Sequence, residues 1–410
     1  MSRLQLITRL LGLQGWEVAR VAIRTKRREV IVTIRRAAGT GYQCRGCNQL
    51  FFACYDQLPG RLVRDFPVWG RRCYLKFTPV RVSCPKCGVG IEKLDWVAPF
   101  QHQTLRYERY IAALCSILPV LDVAESEGLN KGTVYRIDRK YLELRFAARQ
   151  ERSVRFLGID EIAIRKGQHY ATLFYDLERR EVIDVQRGRR QRQVSRFFRR
   201  RGRAFCRGIV AVCMDLWKAY FKSVTRHCRQ AVIVFDKFHV YCYLSEAVDS
   251  VRRFEQAPAR KRGRDLIKGS RWLWLKGSDR LRRRERETLR DIMATNENLT
   301  KAYLLKEDFE QLYESSDEIA ARCFLSEWTA RCVESGLMPF CKLARRLLRW
   351  AEGILAYFKH RISNGVAEGI NHKIKVMKRR SYGFRDLDYF FLKIMGCAGN
   401  LPSLESLLPQ

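Results

Sequence analysis

Three carboxylates stand at places in this chain that ask for a partner of opposite charge. Asp160 ends the apolar run Val154-Arg-Phe-Leu-Gly-Ile, and Asp215 ends Gly208-Ile-Val-Ala-Val-Cys-Met. Glu368 opens a helical stretch on which Asn371, His372 and Lys375 share its face. A buried strand that ends on an acid delivers that acid to the edge of a sheet, and carboxylates brought together repel unless a cation lies among them. Phosphodiester cleavage uses such a cluster: acidic ligands hold two hard cations about 3.5 to 4 Å apart and stabilise both the attacking and the leaving oxygen. The plain alternative is three surface carboxylates in ion pairs, the usual fate of Asp and Glu.

Four of the 15 cysteines form a second candidate group, Cys44 with Cys47 and Cys84 with Cys87. Two thiolates a tight turn apart grip one side of a metal, and two such pairs complete a tetrahedron, so a structural zinc is expected. Thirty-six residues separate Cys47 from Cys84, more than a compact ribbon uses, and an intervening hairpin must bring the pairs together. Cys54 and Cys73 are spare candidates, while Cys115, Cys213 and Cys397 lie in apolar surroundings and read as core residues. An odd number of cysteines spread over a long chain fits reduced thiols in the cytoplasm better than a disulfide framework.

The charge names the partner. Lys and Arg number 79 against 43 Asp and Glu, a net charge of +36, which calls for a polyanion. Residues 187–203 carry nine arginines and no acid, and Arg189, Arg190, Arg199 and Arg200 are expected on backbone phosphate. The longest apolar stretch, residues 111–121, contains Pro119 and is too short to span a bilayer. The first twenty residues lack the apolar length and small-residue cleavage site of a secretory signal, so a cytoplasmic, nucleoid-associated location is expected.

The elements that must position these groups can be placed from pattern. At roughly 150 residues per domain, 410 residues suggest two to four folded units. Residues 1–100 alternate in the manner of strands, as in Arg28-Glu-Val-Ile-Val-Thr-Ile-Arg35, and form a β-rich zinc module. Residues 101–150 are helical and contain helix-turn-helix spacing: Ala124 is small where helices approach, Gly128 takes the turn, Asn130 caps the second helix, and Val134 and Ile137 pack it. Lys131, Thr133, Tyr135 and Arg136 then face DNA. The alternative is an ordinary helical hairpin. Residues 151–254 predict an α/β core of order βββαβαβ, with Asp160 and Asp215 ending neighbouring strands. An all-helical insertion is expected over 255–360, with a basic loop Arg260-Lys-Arg-Gly-Arg264 and a packing anchor at Trp272-Leu-Trp-Leu275, and residues 361–410 complete the core.

Several ordered motifs then coincide. Gly158-Ile-Asp-Glu161 with Lys166-Gly167 and Tyr170, Asp215-Leu-Trp-Lys-Ala-Tyr220, Val234-Phe-Asp-Lys-Phe-His-Val240 with Ala247-Val-Asp-Ser-Val-Arg-Arg253, and Asn364-Gly-Val-Ala-Glu-Gly-Ile-Asn371 with Lys378-Arg-Arg380 and Gly383-Phe384 resemble the insertion-sequence L-three family of bacterial DDE transposases. The resemblance covers nearly the whole chain and implies a ribonuclease H-like core. It also implies Asp160, Asp215 and Glu368 as ligands of two Mg²⁺ (Mn²⁺ as substitute), with Glu368 delivered from beyond the insertion. Cleavage at terminal inverted repeats and joining of 3′ ends to target DNA, by a homodimer or larger assembly, follow from it. Lys375, Lys378, Arg379 and Arg380 are expected to contact DNA. In mutator-like relatives a Cys or Asp followed three residues later by His occupies the place of Asp236-Lys-Phe-His239, which is expected to orient Asp215 or touch DNA; the competing roles are direct metal ligation and a plain helix cap. A DNA-binding regulator on an inactive core would lack one of the three acids, and a structure-specific nuclease on the same fold would cut without joining. Glu352 and Glu161 are the alternatives should Glu368 not be the third ligand.

Overall fold

The computed structural model describes residues 2–165, 167, 169–261, 267–399 and 401–404, and the side chains of 258–261 are left aside. Lys166 and, in the basic loop, Arg262, Gly263 and Arg264 lie outside the described residues. The chain divides into two compact units: Met1–Ala148 with Arg380–Arg385 and the residues from Pro402 onward, and Arg149–Arg379 with Asp386–Leu401.

In the first unit, helix α1 (Arg3–Leu11) starts in a Ser2/Gln5 capping box and is followed by β1 (Trp16–Arg24) and β2 (Glu29–Arg36). Next come the short strands β3 (Tyr42–Gln43), β4 (Leu50–Phe51) and β5 (Asp56–Gln57), then β6 (Arg61–Val68), β7 (Arg71–Phe77), β8 (Val80–Cys84) and β9 (Gly88–Ile91). The main sheet has the order β1-β2-β7-β6, with β2 and β7 parallel. Alternation puts Val30, Val32 and Ile34 of β2 and Cys73, Leu75 and Phe77 of β7 on one buried face with Trp16, Val18 and Val63. Helices α2 (Leu105–Ile117), α3 (Val120–Glu127) and α4 (Lys131–Ala147) form a cluster around Tyr107, Ile111, Val123, Val134 and Ile137.

The second unit is built on a five-stranded sheet of order β12-β11-β10-β13-β14. Its strands are β10 (Phe156–Arg165), β11 (His169–Asp176), β12 (Glu181–Arg187), β13 (Ala211–Met214) and β14 (Val232–Phe235), with α5 (Gln191–Gly208) and α6 (Lys218–His227) in the two crossovers. The first three strands are antiparallel, and β10, β13 and β14 run parallel. β13 and β14 are flanked by helical crossovers and read as short, almost wholly apolar runs, which is what a strand covered on both faces requires. Asp160 is not at the end of its strand as the sequence suggests. β10 pairs with β13 only as far as Ile159–Met214, then continues against β11 to Arg165, so Asp160 sits where the sheet splits.

Helix α7 (Lys237–Lys261) leads into α8 (Arg271–Leu275), α9 (Arg283–Thr295), α10 (Glu297–Phe309), α11 (Glu318–Glu334), α12 (Met338–Arg349) and α13 (Ala351–His360). These share one core with the sheet, from Leu157 and Met214 through Trp274, Phe309 and Trp328 to Leu355. Trp274 is buried, its indole N–H donating to Ser270 Oγ at 2.9 Å, and is the anchor expected here, whereas Trp272 is exposed. α13 lies so close to β14 that a Cβ on Gly353 would fall 2.4 Å from the Phe235 ring. Helices α14 (Gly365–Arg380) and α15 (Leu387–Ala398) close the unit.

Candidate metal centre and nucleic-acid interface

Parallel strands β10, β13 and β14 end in the same direction, so the residues just past their pairing, Asp160, Asp215 and Asp236, collect at one edge. Ligand atoms of Asp160, Asp215 and His239 all lie within 4.8 Å of one another. His239 stands in the first turn of α7, three residues after Asp236, with Nε2 2.7 Å from Asp215 Oδ1. That oxygen is buried, yet no donor meets it with hydrogen-bond geometry. At this separation the imidazole, when protonated, faces Asp215 as an ion-pair partner. Burial and then the neighbouring Asp215 push the Asp160 carboxyl up to about 7. Burial also raises Asp236, while for His239 the opposing effect of burial is outweighed by Asp215, Asp236 and Asp160, so the imidazole is raised. Acids that hold protons this tightly in the absence of a cation are what a hard divalent ion would displace.

Asp160 is oriented from two sides. Its Oδ1 accepts the Glu161 backbone N–H at 2.7 Å, and its Oδ2 accepts Asn371 Nδ2 at 2.7 Å, while Asn371 Oδ1 accepts the buried Tyr175 hydroxyl at 2.8 Å. Seven residues earlier, Asn364 donates its side-chain amide to Ile159 O and its backbone N–H to Asp236 Oδ1. Ala367, Asn371 and Ile374 are the buried side of α14 and, with Asn364 just before its first turn, fix its register on β10. Sequence reasoning placed Asn371 on the face of Glu368 but missed this latch. Two asparagines seven apart, one just before α14 and one on it, were the available signal.

Glu368 lies one turn before Asn371, exposed, and is not in the three-residue group. The alternatives are otherwise engaged. Glu161 accepts from Arg189 at 2.8 Å and Tyr220 at 3.1 Å, and Glu352 is exposed and paired with Arg322. Asp236 is buried beneath the group as the partner of the Asn364 backbone.

Two of the four arginines expected on backbone phosphate have acidic partners within the chain. Arg189 stacks 4.0 Å from the Tyr170 ring centroid while paired with Glu161, Arg200 is paired with Asp184, and Arg201 with Glu151. Acids distant in sequence neutralise these positions, which a window over 187–203 does not reveal. Arg190 and Arg199 are exposed, as are Lys375, Arg379 and Arg380 on α14; Lys378 donates to Ala163 O.

The four cysteines of the first unit also come together, their sulfurs within 4.8 Å of one another and Cys47 and Cys84 3.5 Å apart. Hairpins β3–β4 and β8–β9 each carry one pair, joined by a bridge between Cys44 and Glu92. The long gap is taken up by β6 and β7, which belong to the main sheet. A Cβ on Gly46 would lie 2.8 Å from Cys87 Sγ, so only glycine lets the pairs approach. Backbone N–H groups of Cys47 and Gly46 draw the Cys44 thiol down to about 7, while the neighbouring sulfurs push Cys87 up to about 12. Four thiols that cannot all ionise beside one another fit a single thiophilic cation. Cys54 and Cys73 stand outside this group.

In the helical part, Gly128 takes the left-handed turn (φ 61°) between α3 and α4, and Asn130 Oδ1 accepts the Gly132 N–H at 2.8 Å as N-cap. Lys131 and Arg136 are exposed, Thr133 and Tyr135 half-buried, at the start of α4.

The arrangement is that of a protein with an acidic centre that could hold a metal ion on an α/β sheet, and with a separate helical unit, and comparison with known proteins narrows it. Residues 157–394 match a family model described as a transposase, and residues 92–142 match the helix-turn-helix domain of transposase family ISL3. The chain belongs to this ISL3 transposase family. It is 31% identical over 394 residues to the transposase for insertion sequence element IS1001 of Bordetella parapertussis, covering 95% of this chain and 97% of the relative. It is 25% identical over 404 residues to the transposase for IS1557 of Mycobacterium tuberculosis, covering 92% and 90%.

Proposed function

We propose that this chain binds the terminal repeats of a mobile DNA element, cuts at them with Asp160, Asp215 and Glu368, and joins the freed 3′ ends to target DNA. The observation that carries this reading is the convergence of Asp160 and Asp215 at the split of the sheet, with α14 latched to Asp160 through Asn371. The sheet is then a ribonuclease H-like core, residues 151–254 and 361–410, interrupted by the insertion 255–360. Residues 1–100 form its zinc module and 101–150 its helix-turn-helix. The protein works in the cytoplasm, as a homodimer or larger assembly on paired ends.

Asp160, Asp215 and Glu368 would hold two Mg²⁺, which supply Lewis acidity for phosphoryl transfer. The Glu161 N–H and Asn371 amide keep the Asp160 carboxylate in one orientation, and His239 restrains Asp215 and can carry a proton at Nε2. In the first step the oxygen of water loses a proton and bonds phosphorus as the bond to the 3′-oxygen breaks, and the departing 3′-oxygen takes up a proton. In the second, the 3′-hydroxyl loses its proton and bonds a target phosphorus, releasing the target's own 3′-oxygen. Incubating the protein with end-bearing duplex, target plasmid and Mg²⁺ should give joined products, and nicks without joining would instead mark a nuclease.

Glu368→Ala should abolish cleavage, whereas His239→Ala should slow it about 10 to 100-fold, as expected of a residue acting on a ligand. A Glu368→Ala protein that still cuts, beside a His239→Ala protein that binds no Mn²⁺, would make His239 the third ligand. On the helix-turn-helix, Lys131→Ala with Arg136→Ala should weaken end binding and lower its salt slope by roughly one for each phosphate left without its cation. Unchanged binding across a KCl titration would leave α3 and α4 as a packing hairpin.

A further inference from the structure

One end of the main sheet in the first unit carries an unusual pair of turns. Val68 pairs with Arg71, leaving Trp69-Gly70 as a two-residue hairpin loop with φ 48° and 69°. Both central residues of such a loop must take positive φ, and Asn-Gly or Gly-Gly are the residues that do so at little cost. Tryptophan there is strained, and its indole gains no burial in return: the residue is 92% exposed. A strained, solvated aromatic side chain does nothing for the fold, so its use must lie outside it.

The neighbouring β1–β2 turn lies alongside. It contains Lys26, Arg27 and Arg28, with Arg28 also left-handed at φ 52°. The Arg72 N–H donates to Arg28 O at 2.9 Å, and a Cβ on Gly70 would lie 3.9 Å from the Arg28 guanidinium. Lys26, Arg27 and Arg28 on one turn and Arg71 and Arg72 just after the other are therefore the cations nearest Trp69 in these paired turns, and among the described residues none of the five is in an ion pair. Glu29, the nearest acid in sequence, is paired with Arg24. Arg72 also reaches the helix-turn-helix: its guanidinium would lie 2.6 Å from a Cβ on Gly128, the residue of the α3–α4 turn.

We propose that these paired turns are a second DNA contact, in which the five cations grip phosphates and the Trp69 indole inserts at a base step of the duplex that α4 reads. The surface is basic, narrow and tipped with a flat apolar ring. Phosphate backbone answers the charge and a base step answers the ring, which an acidic peptide could not do. This rests on the DNA-binding reading above.

The test uses the full chain and a fluorescein-labelled 30-base-pair duplex of mixed sequence, titrated over a range of KCl. Trp69→Asn gives the loop its favoured Asn-Gly pair, so thermal stability should hold or rise while affinity falls about tenfold at every salt concentration with the slope unchanged. Lys26→Gln, Arg27→Gln and Arg28→Gln together should lower the salt slope by roughly one per cation removed. Trp69→Phe, which keeps a ring, should recover much of the loss. Unaltered affinity and slope in both variants, in a protein whose binding still falls with Lys131→Ala and Arg136→Ala, would overturn the second contact and leave the helix-turn-helix standing. Failure of all variants to alter binding would instead remove the reading on which it rests.

Discussion

Asp160→Asn should abolish Mg²⁺-dependent cleavage and at the same time make the metal-free protein more stable above neutral pH. The carboxyl is raised from an ordinary 3.8 to about 7 by burial and by Asp215, so the folded chain holds this proton more tightly than the unfolded chain. Stability from that group is fully present below its unfolded value and is lost as the pH rises through about 7, where the folded protein must carry a buried charge. Removing the charge spares up to ~4 kcal/mol at pH 8. His239, also raised, acts with the same sign. Asparagine can keep the Glu161 N–H bond, and a turn of the Asn371 amide restores the other. Thermal melts at pH 4.5 and pH 8 with a chelator of Mg²⁺ should therefore show the variant gaining on the unmodified chain as the pH rises. Added Mg²⁺ should reverse the order by stabilising only the chain that binds it. A variant that still cuts, or that gains nothing at pH 8, would remove Asp160 from the centre.

Loss of the four-cysteine metal should have the next largest effect. The cluster around it is small, with Cys44, Val82 and Cys84 buried and Tyr42 and Phe51 packed at its side, so apolar burial offers these hairpins little. Small structural zinc sites contribute about 10 to 16 kcal/mol of binding free energy, and that becomes folding energy when no site exists in the unfolded chain. A chelator, or Cys84→Ser, should expose residues 42–54 and 80–92 to proteolysis and weaken end binding, while the second unit stays protected. Protein purified without chelator should hold one zinc per chain, and metal analysis that finds none would refute the assignment.

Order along the chain was legible because it depends on local pattern. Apolar runs ending in Asp160, Asp215 and Asp236 mark β10, β13 and β14, and Gly128 with Asn130 marks the turn into α4. What escaped depends on contacts across long stretches of sequence. Nothing near Arg189 or Arg200 shows that Glu161 and Asp184 will neutralise them, and nothing near Asp160 shows that its second oxygen will be held by Asn371. The β10 boundary failed for a related reason. Its far half is paired with β11 alone, and because β11 runs alongside throughout, the loss of β13 after Ile159 leaves no break in the run itself. Trp69 was passed over because an exposed aromatic becomes notable only once its φ is known.

The bond between Asp160 and Asn371 spans 211 residues. At about 5 to 20 residues per second of synthesis, roughly 10 to 40 seconds separate the appearance of the two ends of that bond. Throughout that interval α14 is missing from the sheet, and Asp160 lacks the amide that holds it. Any message cut short before residue 371 prolongs the interval indefinitely. If the proposed function holds, the centre gains its α14 support only near the end of synthesis, so a nascent chain should not cut DNA before residue 371 has been added.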